Sequence, residues 1–208
     1  MTPAPLAEKP VWIDCNDLGA NRLDALYYDP TLTVAERHLR RNGALKWGRL
    51  RDVALNIYSF GAYELTNRIR FTDPGSTTMP FITVSEMGTL TVDISAARHI
   101  DAASHVLLAK SKCGPGTILL SMAGTVGKVA VIPSGTPECN SNQDLAKVVI
   151  NPDLADAYCL ATYLATSVGQ AACFREAAGA IQKHLYLYNI ESFPIPDIPR
   201  PLRLAIGN

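Results

Sequence analysis

The segment LLSMAGTVGKVAVIP, residues 119–133, constrains the possible fold more than any other part of the chain. Two apolar runs flank the pentapeptide GTVGK (residues 124–128), and Pro133 ends the second run. Short apolar runs on either side of a glycine-containing turn are typical of a β-hairpin, and glycine allows the positive φ that a tight turn needs. We therefore predict two paired strands closed by a tight turn at Val126-Gly127.

The GTVGK loop lacks the spacing of a nucleotide-binding motif. A Walker loop has the pattern Gly-x-x-x-x-Gly-Lys followed by Ser or Thr, but Met122 stands at the first glycine position and Val129 at the hydroxyl position. The neighbouring GPGTIL segment also fails as a dinucleotide fingerprint, because Leu119 occupies its third glycine position. Nucleotide hydrolysis is therefore not predicted.

The segments around this hairpin predict further strands and short helices. MPFITVSEM (79–87) has the composition of a strand followed by a polar turn, and DLAKVVIN (144–151) that of a strand ended by the breaker Asn151-Pro152. Helices are predicted at 33–41 and at 101–108. The centre of the chain is therefore expected to be mainly β.

The C-terminal part is predicted to be helical at first and extended at its end. Apolar residues recur at helical spacing from Asp153 onwards, and Gly169 is expected to separate two helical pieces. From Pro194 the chain has four prolines in eight residues, so it is expected to leave the compact fold. The predicted fold class is α+β, a single domain with a mainly β centre, flanking helices and a Pro-rich C-terminal arm. The predicted parts are an N-terminal arm (1–30), the domain itself (31–200) and a short terminal piece (201–208).

Composition limits the compartment and the cysteine chemistry. The chain has 19 basic and 19 acidic residues, so its formal net charge of zero predicts neither global attraction to nucleic acid nor repulsion from it. No secretory signal and no apolar run of membrane-spanning length is present, which predicts a cytoplasmic protein. Five cysteines without a Cys-x-x-Cys pair predict buried free thiols rather than a disulfide framework or a zinc site. They are Cys15, Cys113, Cys139, Cys159 and Cys173.

Signatures of catalysis are missing from the sequence. The chain has no Gly-x-Ser-x-Gly elbow and no His-Glu-x-x-His motif, and its four histidines lack the spacing of metal ligands. No cofactor and no metal are predicted. A stand-alone hydrolase stays open as an alternative, with Cys113 or Ser121 as nucleophile and His99 or His105 as base.

Positive charge and hydrogen-bond donors are concentrated locally. Residues 37–51 contain six Lys or Arg and no acid, and residues 102–137 contain three lysines and no acid. Residues 177–190 are a second acid-free stretch. Ammonium groups, hydroxyls and backbone amides of glycine-rich loops are the donors that phosphate oxygens accept, so one face of the protein could hold a duplex. Two alternatives stay open. The basic run can be the solvated face of a helix, and the glycine loop can serve only to close a hairpin.

Six sequence blocks occur in an order that resembles a known family. They are RLDALYYDP, GRLRDVA, FITVSEM, GPGTILLSMAGTVGKVAVIP, SNQDLAKVVI and YLATSVGQAACFREAAGAIQKHLYLYNIESFPIPDIP. Together they resemble the target recognition domain of the specificity subunit of type I restriction-modification systems, a domain also found fused to single-chain restriction methyltransferases. The resemblance covers about residues 22–200.

The resemblance implies DNA binding without catalysis. A domain of this family reads one half of a split recognition sequence in double-stranded DNA. A partner methyltransferase flips the target adenine out of the duplex and methylates it. In some systems a nuclease subunit is also part of the complex. The chain itself has no Asn/Asp-Pro-Pro-Tyr/Phe methyltransferase motif. It departs from the family after the Pro-rich segment, where PRPLRLAIGN replaces a long spacer helix. We therefore expect no dimer held by a coiled coil.

The donor-rich loops and the resemblance together select candidate DNA-contact residues. Gln143 and Gln182 suit base edges, because an amide presents a donor and an acceptor together to adenine, and lysines suit phosphates. Thr125 and Lys128 are expected at the edge of the DNA face as contacts to the DNA backbone. The full predicted set is Arg70, Lys110, Lys112, Thr125, Lys128, Asn142, Gln143, Gln182, Lys183 and His184.

Two further predictions concern protein partners. Tyr27 and Tyr28 are candidates for binding a neighbouring methyltransferase or a second copy of the chain, and the alternative is that they pack on their own domain. A protein-interaction module, whose basic face meets an acidic partner, is a further functional class that the sequence leaves open.

Overall fold

The structure, a computed structural model, describes residues 27–29, 45–60, 67–177 and 183–207. The helix predicted at 33–41 and the candidate Gln182 lie outside these residues. So does most of the predicted N-terminal arm, and the predicted boundaries of the three parts stay predictions.

The described residues form twelve strands and six helices, joined by short 3-10 turns. The strands are β1 (Trp47–Arg49), β2 (Ala54–Tyr58), β3 (Phe71–Thr72), β4 (Met79–Ile82), β5 (Leu90–Thr91), β6 (Arg98–Ile100), β7 (Lys112–Cys113), β8 (Ile118–Ser121), β9 (Val129–Val131), β10 (Cys139–Ser141), β11 (Leu145–Ile150) and β12 (Pro194–Pro196). The helices are α1 (Leu50–Val53), α2 (Ala102–Leu107), α3 (Ala157–Ala165), α4 (Ser167–Glu176), α5 (Leu187–Glu191) and α6 (Arg200–Gly207). This composition confirms the α+β class, and β4, β11 and α2 confirm the elements predicted at those places.

The glycine hairpin lies in a five-stranded sheet with the order β2-β11-β8-β9-β5. β8 and β9 are antiparallel, with Leu119 opposite Ala130, which confirms the predicted hairpin. Successive side chains of a strand point to opposite faces, so Ile118 and Leu120 enter one hydrophobic core while Leu119 enters another. Both faces of the hairpin are covered, and this explains why its strands are continuous apolar runs rather than alternating ones.

Helices cover one face of this sheet and a second sheet covers the other. On the helical side, Leu120 of β8 shares a core with Leu164 of α3 and Cys173 of α4. On the opposite side, Leu119 shares a core with Ile82 of β4 and Cys139 of β10. Those two strands belong to the second sheet, which has the order β3-β6-β4-β10-β7.

The break between α3 and α4 lies at Thr166, so the break predicted at Gly169 is wrong. Thr166 ends α3 and its side chain accepts a hydrogen bond of 3.3 Å from the backbone amide of Gly169, which caps α4. Gly169 instead allows close packing, since an added Cβ would come within 2.5 Å of Leu164 Cα. The glycine marks the contact of the two helices rather than their boundary.

The Pro-rich segment does not leave the fold, and that prediction is wrong. β12 pairs antiparallel with β1, with Gly48 opposite Ile195, and Ile195 is buried. Prolines are tolerated here because, among the described residues, the sheet has only two strands, each with one edge that pairs with no other strand. α6 then packs against α3, and Arg203 donates a hydrogen bond to the carbonyl of Leu154.

Within the described residues, no helix combines the length and the apolar character needed to span a membrane.

Candidate nucleic-acid interface

The glycine hairpin is closed by a loop of seven residues, 122–128, not by the tight turn predicted at Val126-Gly127. Ser121 organises this loop: its hydroxyl donates to the carbonyl of Thr125 and accepts from the backbone amide of Lys128 at 2.8 Å. Gly124 and Gly127 have φ angles of +69° and +86°, the left-handed region that favours glycine. A serine hydroxyl and two glycines therefore set the shape of the loop.

Helix α4 fixes the position of Gly127. The side-chain amide of Gln170 donates to the carbonyl oxygens of Gly127 at 2.7 Å and of Leu164 at 2.9 Å. A Cβ on Gly127 would lie 3.1 Å from Gln170 Oε1 and 3.2 Å from Cys173 Cβ. Glycine is therefore required at this position by the φ angle and by the close approach of the helix.

The two predicted contact residues in this loop differ in exposure. Thr125 is exposed at the tip of the loop. Lys128 is half-buried, and its ammonium group donates to the carbonyl of Val84 at 3.2 Å. The stem of Lys128 therefore packs on the protein, and its charge has no carboxylate partner among the described residues.

Two other segments meet the glycine loop at Met122. The backbone amide of Met122 donates to the carbonyl of Asp144 at 2.7 Å, and its carbonyl accepts from the amide of Leu185 at 2.9 Å. These bonds place residues 142–144 and 183–186 beside the start of the loop. The predicted candidates Asn142, Gln143, Lys183 and His184 belong to these segments and therefore lie at the same end of the sheet as Thr125 and Lys128.

The candidates beside the loop are not equally available to a ligand. Asn142 is held by the fold: its backbone amide donates to Ile82 at 3.0 Å and its side-chain amide to Asp144 at 3.1 Å. Gln143 is half-buried, and its side chain has no hydrogen bond among the described residues. Lys183 is exposed and His184 is half-buried. Gln143 is therefore a better candidate for reading a base than Asn142.

A ladder of aromatic rings continues from His184. The ring of His184 contacts Tyr186 edge-on at 4.9 Å, and Tyr186 stacks on Tyr188 with 5.6 Å between centroids and 9° between planes. Tyr186 is 46% exposed and Tyr188 65% exposed. The sequence prediction missed both tyrosines, although the alternation in HLYLY, with Leu185 buried between His184 and Tyr186, was a usable signal.

The remaining predicted residues lie on the second sheet. Arg70 precedes β3, and its charge contributes to lowering the pKa of Asp101, after the larger effect of the hydrogen bonds from Ser104. Lys110 is exposed in a 3-10 turn. Lys112 donates to Glu138 at 2.8 Å, and this hydrogen bond is the main reason that the pKa of Glu138 is lowered. Lys112 is therefore partly neutralised, whereas Lys110 is not.

The same sheet carries a cation-π pair that the sequence prediction missed. The guanidinium carbon of Arg98 lies 3.4 Å from the ring centroid of Phe71, and Phe71 contacts Phe81 edge-on. Arg98 and Phe71 are both exposed, so a cation and an aromatic face meet at the surface of β3 and β6. No period or motif in the sequence marks this pair.

The two predicted partner-binding tyrosines contact each other and the domain. Tyr27 and Tyr28 are both half-buried, with ring centroids 4.9 Å apart. The guanidinium carbon of Arg175, on α4, lies 5.1 Å from the centre of the Tyr27 ring. Tyr27 therefore packs at least partly on its own domain.

The hydrolase alternative gains no support from the described residues. The ring of His105 bonds to Asn140 and Glu138, and that of His99 to Thr78. Neither histidine is hydrogen-bonded to Cys113 or Ser121 in the part of the chain that the structure describes. In that part, no group of three or more His, Cys, Asp or Glu could hold a metal ion.

Comparison with solved structures identifies the fold. A chain from a study of the assembly and conformational transition of the type I R-M system has a TM-score of 0.55 and 19% identity, over 85% of this chain and 42% of that one. The HsdS subunit from Thermoanaerobacter tengcongensis has a TM-score of 0.53 and 18% identity, over 88% and 43%. The type IIG restriction endonuclease BpuSI has a TM-score of 0.57 and 12% identity, over 88% and 28%.

These similarities extend over most of this chain, which spans less than half the length of each of the three proteins. No family model matches the sequence, and no curated protein matches it either. The chain therefore shares its fold with part of the HsdS subunit and with part of a type IIG restriction endonuclease, as the sequence resemblance predicted.

Proposed function

We propose that this chain is a DNA target recognition domain that reads one half-site of a restriction-modification target in double-stranded DNA. It directs a partner adenine methyltransferase, and in some assemblies a nuclease, to that site. The domain contributes specificity, and the chemistry belongs to its partners. Residues 31–200 make up this domain, and 201–208 correspond to the start of a spacer helix.

The observation that carries this proposal is the meeting of three segments at Met122. The bonds of Met122 to Asp144 and Leu185 bring the glycine loop, residues 142–144 and the aromatic ladder to one end of the central sheet. That end offers an ammonium group on Lys128, a side-chain amide on Gln143 and exposed aromatic rings. Fold alone does not determine function, but this combination of groups matches what DNA phosphates, base edges and thymine methyl groups require.

The roles within this surface follow from the chemistry of each side chain. Lys128 and Lys183 neutralise phosphates, and Thr125 donates to the DNA backbone from the loop tip. Gln143 reads a base edge, with Gln182, outside the described residues, as a second candidate. The second sheet provides an additional phosphate contact through Arg70, Lys110 and Lys112. Lys110 contributes more than Lys112, because Glu138 already binds Lys112.

The partner methyltransferase is proposed to bind on the side of α4 that carries Tyr27 and Tyr28. The contact of Arg175 with the Tyr27 ring orders this pair against the domain, which suits a preformed anchor. Changing both tyrosines to alanine should weaken the complex with the methyltransferase without changing DNA binding by the chain alone.

The proposal is tested by selecting bound duplexes from a random pool and sequencing them, with and without a co-purified methyltransferase. One enriched motif of roughly three to five base pairs is expected, because a single module contacts a short stretch of DNA. Flat enrichment in both arms would overturn the proposal.

A protein-interaction module is the second candidate function, and the exposed Tyr186–Tyr188 stack favours it. Exposed aromatic residues are enriched at protein interfaces as well as at nucleic-acid surfaces. A stable complex with an acidic protein, together with no DNA binding at low salt, would favour this function over the first.

A further inference from the structure

Cys113 and Cys139 form a cross-strand pair in the second sheet. They lie directly opposite each other where β7 pairs antiparallel with β10. Their sulfur atoms are 3.6 Å apart, and the Cys139 thiol also lies 3.2 Å from the carbonyl oxygen of Cys113. The two residues are 26 positions apart in sequence, and only the pairing of these strands brings the thiols together.

The pair is reachable from solvent on one side. Cys113 is 6% exposed and Cys139 is fully buried. An open cleft of about 420 Å³ is lined by Cys113 together with Tyr58, Lys112 and Glu138, whereas Cys139 does not line it. A small reagent therefore reaches Cys113 first, and Cys139 lies behind it.

A buried lysine lies beside the two thiols. Lys147 is fully buried on β11, and its ammonium group donates to the carbonyl of Leu145 at 3.2 Å. The pKa of Cys113 is lowered, first by its hydrogen bond with Cys139 and then by the charge of Lys147. The thiolate is the reactive form of cysteine, so this environment favours reaction at Cys113.

The other described cysteines lack this arrangement. Cys159 and Cys173 are buried, and no second thiol contacts either of them among the described residues. Burial raises the pKa of both, to about 12 for Cys173. They are the natural controls for Cys113 and Cys139.

We propose that Cys113 and Cys139 are a redox-active dithiol that a hydroperoxide oxidises reversibly to a cross-strand disulfide. The antiparallel register supplies the geometry, since directly opposed residues have a Cα separation that a disulfide can bridge. The proposal concerns the chain itself and is independent of what its loops bind.

The reaction balances in two steps. The thiolate of Cys113, whose proton has passed to solvent, attacks one oxygen of the peroxide. The O–O bond breaks, a sulfenic acid forms on Cys113, and the leaving oxygen takes up a proton. The sulfur of Cys139 then attacks the Cys113 sulfur, the S–S bond forms, the S–O bond breaks, and water leaves with the Cys139 proton. The dithiol loses two electrons and two protons, and the hydroperoxide is reduced.

The experiment treats the folded, full-length protein with hydrogen peroxide, quenches with an alkylating agent and digests with trypsin. Cleavage after Lys112, Lys128 and Lys147 separates the two cysteines into peptides 113–128 and 129–147, each with one thiol. We expect these two peptides to appear joined, at a mass lower than their sum by two hydrogen atoms. Dithiothreitol should separate them again.

Matched variants identify the reacting pair. Cys139→Ser should abolish the joined peptide and leave a sulfenic acid on Cys113, which a dimedone-type probe captures. Cys159→Ser should leave the joined peptide unchanged. Because substitution of a buried residue can unfold a protein, the peptides of the oxidised wild-type protein are sufficient by themselves to test the proposal. Alkylation of Cys113 and Cys139 as free thiols after peroxide treatment, or linkage of either one mainly to another cysteine, would overturn the proposal.

Discussion

The side-chain amide of Gln170 donates a 2.7 Å hydrogen bond to the carbonyl oxygen of Gly127, across 43 positions of sequence. Helix α4 therefore holds the glycine loop at the point where its backbone comes closest to the helix. The same amide bonds to Leu164 in the last turn of α3, so one side chain ties the helix pair to the loop. The position of the loop is therefore tied to that of the helix pair.

Replacing Gly127 with alanine should destabilise the protein more than the equivalent change at Gly135. Both glycines have a strongly positive φ, +86° and +82°, which costs an alanine roughly 1–2 kcal/mol. Only at Gly127 does the new Cβ also meet Gln170 and Cys173, whereas at Gly135 nothing lies within 4 Å. Urea unfolding of both variants measures the difference, and equal losses would mean that the helix does not constrain the loop.

The strands of this region were predictable from sequence, but the contacts that shape the loop were not. The apolar runs around GTVGK indicated a hairpin because both faces of β8 and β9 are buried. The bonds of Ser121 and Gln170 could not be predicted, since each depends on which distant backbone group the fold brings near. The role of Gly169 could not be predicted either. In a sequence, a glycine that allows two helices to pack closely looks the same as a glycine that ends a helix.

The Pro-rich end was misjudged because proline composition carries no information about pairing partners. Prolines exclude a central strand, yet in the part of the chain that the structure describes β12 pairs only with β1, so the missing amides face no neighbouring strand there. The candidate site was predicted in part: six of its residues lie around Met122. The exposed tyrosines beside them were not predicted, because tyrosine is common both in cores and at surfaces, so its residue type alone does not indicate exposure.

Replacing Lys128 with alanine should weaken binding to all DNA sequences about equally. If the ammonium group neutralises one phosphate, the slope of log affinity against log salt becomes shallower by about one unit. Lys128→Arg retains the positive charge and should keep the slope. Fluorescence anisotropy with two unrelated duplexes at several salt concentrations provides the measurement, and an unchanged slope in Lys128→Ala would leave the loop with an architectural role only.

Replacing Tyr188 with alanine should weaken DNA binding severalfold, because its exposed ring offers apolar contact to thymine methyl groups in the major groove of a duplex. Tyr188→Phe keeps the ring and should bind nearly normally. Leu154→Ala is the matched control, since Leu154 is 50% exposed and follows the end of β11 that lies opposite to residues 142–144. Equal affinities for wild type and Tyr188→Ala, with loss of a protein partner instead, would favour the protein-interaction function.

Replacing Lys147 with methionine should stabilise the protein at neutral pH under reducing conditions. Burial lowers the pKa of Lys147 from 10.5 to about 8. Below pH 8 the folded and unfolded states both bind the proton, so the folded state carries the full cost of an ammonium group in the interior. Between about pH 8 and 10.5 the unfolded state binds more protons at Lys147 than the folded state does. The contribution of Lys147 to the free energy of unfolding therefore rises with pH in this range.

The free energy of unfolding of Lys147→Met should exceed that of the wild type by at most about 3 kcal/mol at pH 7, a limit that follows from the size of the pKa change. The gain should shrink as pH rises through the window, because the wild-type lysine loses its charge there. Burial raises the pKa of the Cys159 and Cys173 thiols, so at about pH 8.5 and above they lose their protons only when unfolded, which lowers the stability of both proteins as the pH rises. The quantity to measure is therefore the difference between the two proteins in urea unfolding at pH 7, 8 and 9. Tyr58, beside Lys147, has its pKa raised to about 12 and stays neutral throughout. A methionine variant less stable than wild type at pH 7 would mean that hydrogen bonding compensates the buried charge.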